Sequence, residues 1–183
     1  MKKSLVISGS GGQGVMSAGI MIAQTAVGAG KYATFLPEYG PEQRGGSAKC
    51  TVVVNDDEII SPLMAKCDTL ITMNEQSFKK FGASLKAGGT LIANTSRVLS
   101  EITRDDITVV KVPADDLAVE LGSIKCANII LIGALIGAEA GIITEEAMLM
   151  SLQAKFGSKK KEVLELNKIA LAKGIEYGKK ALA

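Results

Sequence analysis

Glycines 9, 11 and 14 stand in the spacing Gly9-x-Gly11-x-x-Gly14, directly after the apolar run 5–7 and before the Ala-, Ile- and Met-rich run 15–27. Strand, glycine turn and helix in that order can hold a phosphate. Glycines let the backbone turn tightly and approach an anion, while free N–H groups and the helix dipole favour negative charge. With Gly12 in the turn and Gln13 as an added side-chain donor, the predicted cofactor-binding loop is Gly9, Gly11, Gly12, Gln13 and Gly14. The spacing alone leaves three readings open: a dinucleotide site, a different phosphate-bearing ligand or partner-held cofactor, and a structural tight turn. The dinucleotide reading also wants an acid at the end of the second strand for a ribose hydroxyl. Glu38 is positioned to supply it, although Pro37 breaks the strand just before it.

A second stretch of chemical interest is 37–46, with two prolines and three glycines among charged residues. It reads as a structured loop at the carboxyl end of the second strand, beside the glycine turn. Its Tyr, two Glu and one Arg suit it to hold a guanidinium or carboxylate against a ligand or another subunit. A Glu42–Arg44 network that only pins the loop is the competing reading.

Composition narrows the chemistry further. Histidine is absent, which removes serine or cysteine triads, His-ligated zinc and His acid/base catalysis from this chain. Cys50, Cys67 and Cys126 lie far apart with no C-x-x-C, so they encode neither an iron–sulfur cluster nor a disulfide framework. They read as buried thiols of a cytoplasmic protein. A net charge of +2 is too small to argue for a nucleic-acid partner. The longest apolar run, 127–138, falls short of the ~20 residues that span a bilayer, so no membrane partner is expected.

The elements that must position these loops follow from periodicity. Strands are expected over 5–7, 32–36, 50–54, 69–73, 89–93 and 107–112, the second of them parallel, so that the first two strands and the helix over 15–27 make a βαβ unit. Residues 55–58 read as a turn into a short segment over 58–60. Helices are expected over 75–81, 115–121 and 128–140, after Thr144 as an N-cap, and over 159–180. The helix over 128–140 is apolar all round and must lie inside the fold or under a partner. With 183 residues against roughly 150 per domain and no linker or repeat, residues 1–183 form one domain. The fold class is α/β: a single Rossmann-like domain with a mainly parallel sheet flanked by helices.

Two long motifs in order, Gly9-Ser-Gly-Gly-Gln-Gly-Val15 and Tyr39-Gly-Pro-Glu-Gln-Arg-Gly-Gly46, precede Cys50-Thr-Val-Val-Val54 and Ser61-Pro62. Together with Asn128 and Gly133 in the apolar helix, they make the chain resemble the gamma subunit of 2-oxoacid:ferredoxin (acceptor) oxidoreductases over nearly its whole length. Within that family the 39–46 loop looks most like the 2-oxoglutarate and branched-chain 2-oxoacid type. The resemblance implies an oxidoreductase subunit, inactive alone, in a complex that converts a 2-oxoacid, 2-oxoglutarate first, to acyl-CoA and CO2. Electrons would pass to ferredoxin or a related acceptor. It implies alpha, beta and delta subunits as partners, and thiamine diphosphate, Mg, iron–sulfur clusters and coenzyme A in the complex, with none assigned to this chain alone. It also implies a substrate- or partner-facing loop of Tyr39, Gly40, Pro41, Glu42, Arg44, Gly45, Gly46 and Asn128. In that loop Arg44 would contact an anion, a coenzyme A phosphate or a substrate carboxylate. The rival expectation is a stand-alone NAD-binding oxidoreductase or a non-catalytic nucleotide-binding module.

Overall fold

The apolar run that begins the chain forms strand β1 (Lys3–Ser10), buried on both faces over Ser4 to Gly9 as a central strand requires. In the computed structural model, the described residues are 1–40, 46–158 and 160–183. The remaining elements are α1 (Val15–Gly28), β2 (Tyr32–Tyr39), β3 (Ser47–Asn55), β4 (Cys67–Thr72), α2 (Glu75–Phe81), β5 (Leu85–Asn94), β6 (Thr108–Val112), α3 (Ala114–Glu120), α4 (Ala127–Gly137), α5 (Glu145–Phe156) and α6 (Lys161–Lys180). The expectations placed on Pro41, Glu42, Gln43, Arg44, Gly45 and Lys159 lie outside the described residues.

One six-stranded sheet has the order β2-β3-β1-β4-β5-β6. β1, β4, β5 and β6 are mutually parallel, whereas β3 runs antiparallel to both β1 and β2. Five strands therefore share one direction and β3 alone is reversed, which agrees with the mainly parallel α/β reading. The second strand needs a correction. It does run parallel to β1, but β3 is inserted between them, and its hydrogen-bonded neighbour is antiparallel. It also continues through Pro37 to Tyr39, so 37–39 is strand and not loop. β2 is an edge strand, and an edge tolerates a residue that has no N–H to donate. The expected short segment over 58–60 has neither helical nor strand structure.

Helices α1, α3, α4, α5 and α6 share one core with Leu5, Ile7, Val52, Ile71, Ile92 and Val110, while α2 covers a smaller cluster on the other face through Phe78 and Phe81. The all-apolar α4 is inside the fold, its residues from Asn128 to Leu135 buried. What makes this possible is glycine on both partners. An added Cβ at Gly133 or Gly137 would collide with the backbone of α6 at Leu171 and Ile175, and one at Gly174 or Gly178 with that of α4 at Ile130 and Ala134. Two helix backbones thus meet with no side chain between them. The expected cap of α5 is present, Thr144 Oγ1 accepting from Ala147 N at 3.2 Å. All three cysteines are free and buried. Burial pushes the Cys50 thiol up to about 12 and raises Cys67 and Cys126, so all three stay protonated and unreactive near neutrality.

Candidate functional site

In an open α/β sheet, ligands gather at the carboxyl ends of the strands where successive connections leave in opposite directions. Here that point lies between β1, whose helix leads toward β2, and β4, whose helix leads toward β5. A cleft of about 400 Å3 opens there. Gly12, Gln13 and Gly14 form one wall, Met73 and Asn94 the floor at the ends of β4 and β5, and Arg97, Asp115, Lys125 and Asn128 the remaining sides.

The glycine turn is built from within. Gly12 and Gly14 have φ of +90° and +81°, the left-handed region that glycine enters without steric cost. Gly9 is needed for closeness: a Cβ there would stand 2.8 Å from Gln13 Oε1 and 2.9 Å from Met73 Cβ. Gln13 lines the cleft and is also held from within the chain. Its Oε1 accepts from Ser10 N at 2.7 Å and Asn74 Nδ2 at 2.9 Å, and its Nε2 donates to Met73 O at 3.3 Å. The side chain is therefore an internal brace that fixes the loop to the end of β4. Gly11 N donates to Gly46 O at 3.0 Å and Gly40 N to Ser47 O at 2.7 Å, tying the base of the 40–46 loop to the glycine turn. Among the described residues, the N–H groups of Gly12 and Gly14 have no hydrogen-bond acceptor. The first turn of α1 has no side-chain cap and no acidic residue. Among the described residues, the positive end of this helix is uncompensated.

Several separate sequence expectations meet here. Asn128, 114 residues away, sits against the turn, its Nδ2 3.4 Å from Gly14 O. Tyr39, 72% exposed, lines a second small hollow on the other side of the turn with Gly11, Gly12, Gly14 and Val15. The predicted proximity of the two loops holds for the described parts, Tyr39, Gly40 and Gly46.

Glu38 is not where a dinucleotide would need it. Phe35 packs on Gly19 of α1, so Phe35, Pro37 and Tyr39 share the α1 face and Glu38 points to the opposite one. There it pairs with its cross-strand neighbour, Lys49 Nζ to Glu38 Oε2 at 2.6 Å. The sheet separates this carboxylate from the glycine turn.

Asn94, Arg97, Asp115 and Lys125 escaped the sequence reading. Asn94 is 1% exposed, and its amide donates to Asp115 Oδ1 at 2.8 Å and Met73 O at 3.2 Å while its oxygen accepts from Ala114 N at 3.0 Å. Asp115 in turn holds Arg97 through Nε. Only the position of Asn94, ending a strand at its carboxyl end, could have singled it out. The other three are joined by tertiary contacts alone. The segment carrying Arg97 is anchored by Glu75, the first residue of α2, which accepts from Leu99 N at 2.8 Å, Ser100 N at 3.1 Å and Ser100 Oγ.

Hydrogen bonds from Ser100, then Lys79 and Leu99, lower the Glu75 carboxyl to about 2. A carboxyl lowered in the fold stabilises it above its ordinary value near 4.5 and loses that contribution as pH falls toward 2. Protection of the Leu99 and Ser100 amides, taken relative to their intrinsic exchange rates, should therefore fall between about pH 4.5 and 2, and Glu75→Gln should show the lower protection already at pH 7. Exchange independent of pH in wild type beyond the intrinsic rate would refute this anchoring.

The fold is an open α/β sheet domain with a cleft at the carboxyl ends of β1, β4 and β5. Residues 4–177 match the model of the pyruvate ferredoxin/flavodoxin oxidoreductase family, and the chain belongs to that family. It is 31% identical over 176 residues to the ketoisovalerate oxidoreductase subunit VorA of Methanothermobacter marburgensis, covering 96% of this chain and 36% of that one. It is 33% identical over 182 residues to the 2-oxoglutarate synthase subunit KorC of Methanocaldococcus jannaschii, covering 98% and 95%. The keto/oxoacid ferredoxin oxidoreductase gamma subunit from Geobacter sulfurreducens PCA superposes with a TM-score of 0.86 at 27% identity, covering 99% and 98%. The resemblance to gamma subunits of this family is borne out. Against the VorA relative, the chain spans about a third of the length. Among the described residues no helix is long and apolar enough to cross a membrane.

Proposed function

We propose that residues 1–183 are a single gamma-type domain acting as one subunit of an enzyme that oxidatively decarboxylates a 2-oxoacid to acyl-CoA and CO2, passing electrons to ferredoxin or a related acceptor. The observation that carries this reading is the end-to-end similarity to a KorC subunit of nearly the same length, 98% of this chain against 95% of that one. That similarity makes 2-oxoglutarate the first substrate to test, and 2-oxoisovalerate the second because of the VorA relative. Alpha, beta and delta subunits complete the enzyme in this reading.

The residues present fit a phosphate-bearing coenzyme better than a metal centre. The N–H groups of Gly12 and Gly14 have no acceptor among the described residues, α1 starts without a side-chain cap, and both glycines line a cleft of about 400 Å3. Among the described residues no three His, Cys, Asp or Glu side chains are grouped to hold a metal ion. Coenzyme A, which supplies the acyl-accepting thiol, would be held through its phosphates by this turn, beside Tyr39 at the end of β2. Thiamine diphosphate, Mg and the iron–sulfur clusters would belong to the partner subunits. What this chain does in the reaction is bind and orient. Its backbone donors fix an anion, and its braced loop spares the complex the entropy of ordering that contact during turnover. The stand-alone NAD reading loses its ribose-binding acid, because Glu38 faces away from the turn.

Anaerobic purification of the tagged chain from its native cells, followed by dye reduction with 2-oxoglutarate, 2-oxoisovalerate and pyruvate, tests the proposal. Expected are co-purifying iron–sulfur and thiamine-binding subunits and reduction that requires coenzyme A and is strongest with 2-oxoglutarate. A chain that emerges alone, binds NADH and reduces no dye would overturn it.

A further inference from the structure

The carboxyl ends of β1 and β4 are joined through a side chain. Met73 N donates to Ser8 O at 2.8 Å, and in an unbroken parallel ladder the next bond would run from Ser10 N to Met73 O. The carboxamide of Gln13 stands between those two groups instead. Ser10 N donates to its Oε1 at 2.7 Å, and its Nε2 donates to Met73 O at 3.3 Å. Gln13 therefore acts as a surrogate peptide unit that continues the ladder while the strand ends part, at the point where Met73 floors the cleft.

A glutamine side chain has several rotatable bonds, so a second group has to hold it in this register. Asn74 supplies it. Its Oδ1 accepts from Ser77 N at 2.9 Å as the N-cap of α2, which leaves Nδ2 to donate to Ser10 Oγ at 2.8 Å and to Gln13 Oε1 at 2.9 Å. With the oxygen committed to a backbone N–H, the donor end of the carboxamide faces the glycine turn. Asn74 is not among the residues that line the cleft, yet its neighbours reach the other walls: Met73 O also accepts from Asn94 Nδ2 at 3.2 Å, and Glu75 holds Leu99 and Ser100.

We propose that Asn74 is a positioning residue for ligand binding at the glycine turn, acting through Gln13. It ties the start of α2 to the turn and fixes how β1 and β4 end relative to each other, so the N–H groups of Gly12 and Gly14 are held in place before a ligand arrives. The identity of that ligand, coenzyme A, rests on the proposed function; the brace itself does not.

Two substitutions remove the donor and keep the cap. Asn74→Ser retains an N-cap oxygen, and Asn74→Asp retains one while turning a carboxylate oxygen toward Gln13 Oε1. In amide exchange of the full chain, protection of Ser77 N–H should stay at the wild-type level in both, because the cap survives. Protection of Ser10 N–H should fall about fivefold in Asn74→Ser, the scale of neutral hydrogen bonds lost, and further in Asn74→Asp. In the assembled enzyme the KM for coenzyme A should rise about fivefold in Asn74→Ser with kcat within about twofold of wild type, since preorganisation of binding is lost and the chemistry is not. Wild-type Ser10 protection in both variants overturns the brace, and lost protection with an unchanged KM overturns the positioning role. If Asn74→Asp assembles poorly, Asn74→Ser decides alone. Wild-type turnover that needs no coenzyme A would overturn the proposed function, and the Ser10 and Ser77 exchange, read on the chain by itself, would still support or overturn the brace.

Discussion

Replacing Gly174 with alanine should cost more than about 3 kcal/mol and lower the urea midpoint by more than any surface substitution in the chain. The added methyl would penetrate the carbonyl of Ile130 and stand 2.8 Å from Ala134 N, both of them backbone atoms of α4. A flexible side chain could swing aside, but a helix backbone can move only as a whole, and moving α4 disturbs Ile129, Ile130 and Leu131 in the core. Gly137 and Gly178 face the same seam, so the helices have no unoccupied direction in which to slide. Gly28→Ala is the control. It ends α1 with open space around it, and alanine there should be neutral or stabilising by up to about 1 kcal/mol. Chemical denaturation of both variants, with the slope held equal to wild type, reads the difference directly. A Gly174→Ala midpoint within error of wild type would mean that the α4–α6 contact is looser than the structure has it.

That seam also shows where sequence reading stops. The apolar character of α4 says that the helix is covered, and the period of α6 says which face it buries, but neither says that they cover each other. The four glycines acquire meaning only when the two backbones are seen in contact. The strands were legible because central parallel strands are continuous apolar runs, and the glycine turn was legible because its spacing is itself a backbone requirement. The end of β2 was set too early for a physical reason. Proline reads as a strand breaker, and only the knowledge that β2 lies at an edge removes the objection. Glu38 fails in the same way: adjacency in sequence to the right loop says nothing about which face of a pleated strand the side chain takes. Arg97, Asp115 and Lys125 carry no local signature, and their chemistry comes from being gathered at one end of the sheet.

Gly12→Val should separate folding from function at the glycine turn. Its φ of +90° means that valine brings backbone strain of about 1–3 kcal/mol, yet nothing within 4 Å meets the new Cβ. The chain should stay folded while the branched side chain occupies the mouth of the cleft, next to the N–H donors of Gly12 and Gly14. Coenzyme A-dependent turnover of the assembled enzyme should then fall at least about tenfold, some 1.4 kcal/mol of lost transition-state stabilisation. Gly14→Val provides the contrast. It has comparable strain at φ +81°, but its Cβ would meet Asn128 Nδ2 at 2.7 Å, so stability and activity should fall together. The kinetic form of the Gly12→Val defect then discriminates between contacts. A raised KM for coenzyme A with kcat preserved places the coenzyme against the turn, whereas failure to assemble places a partner subunit there. Wild-type turnover and assembly in Gly12→Val would leave the turn with only a structural purpose, because a side chain that fills its open face would then displace nothing.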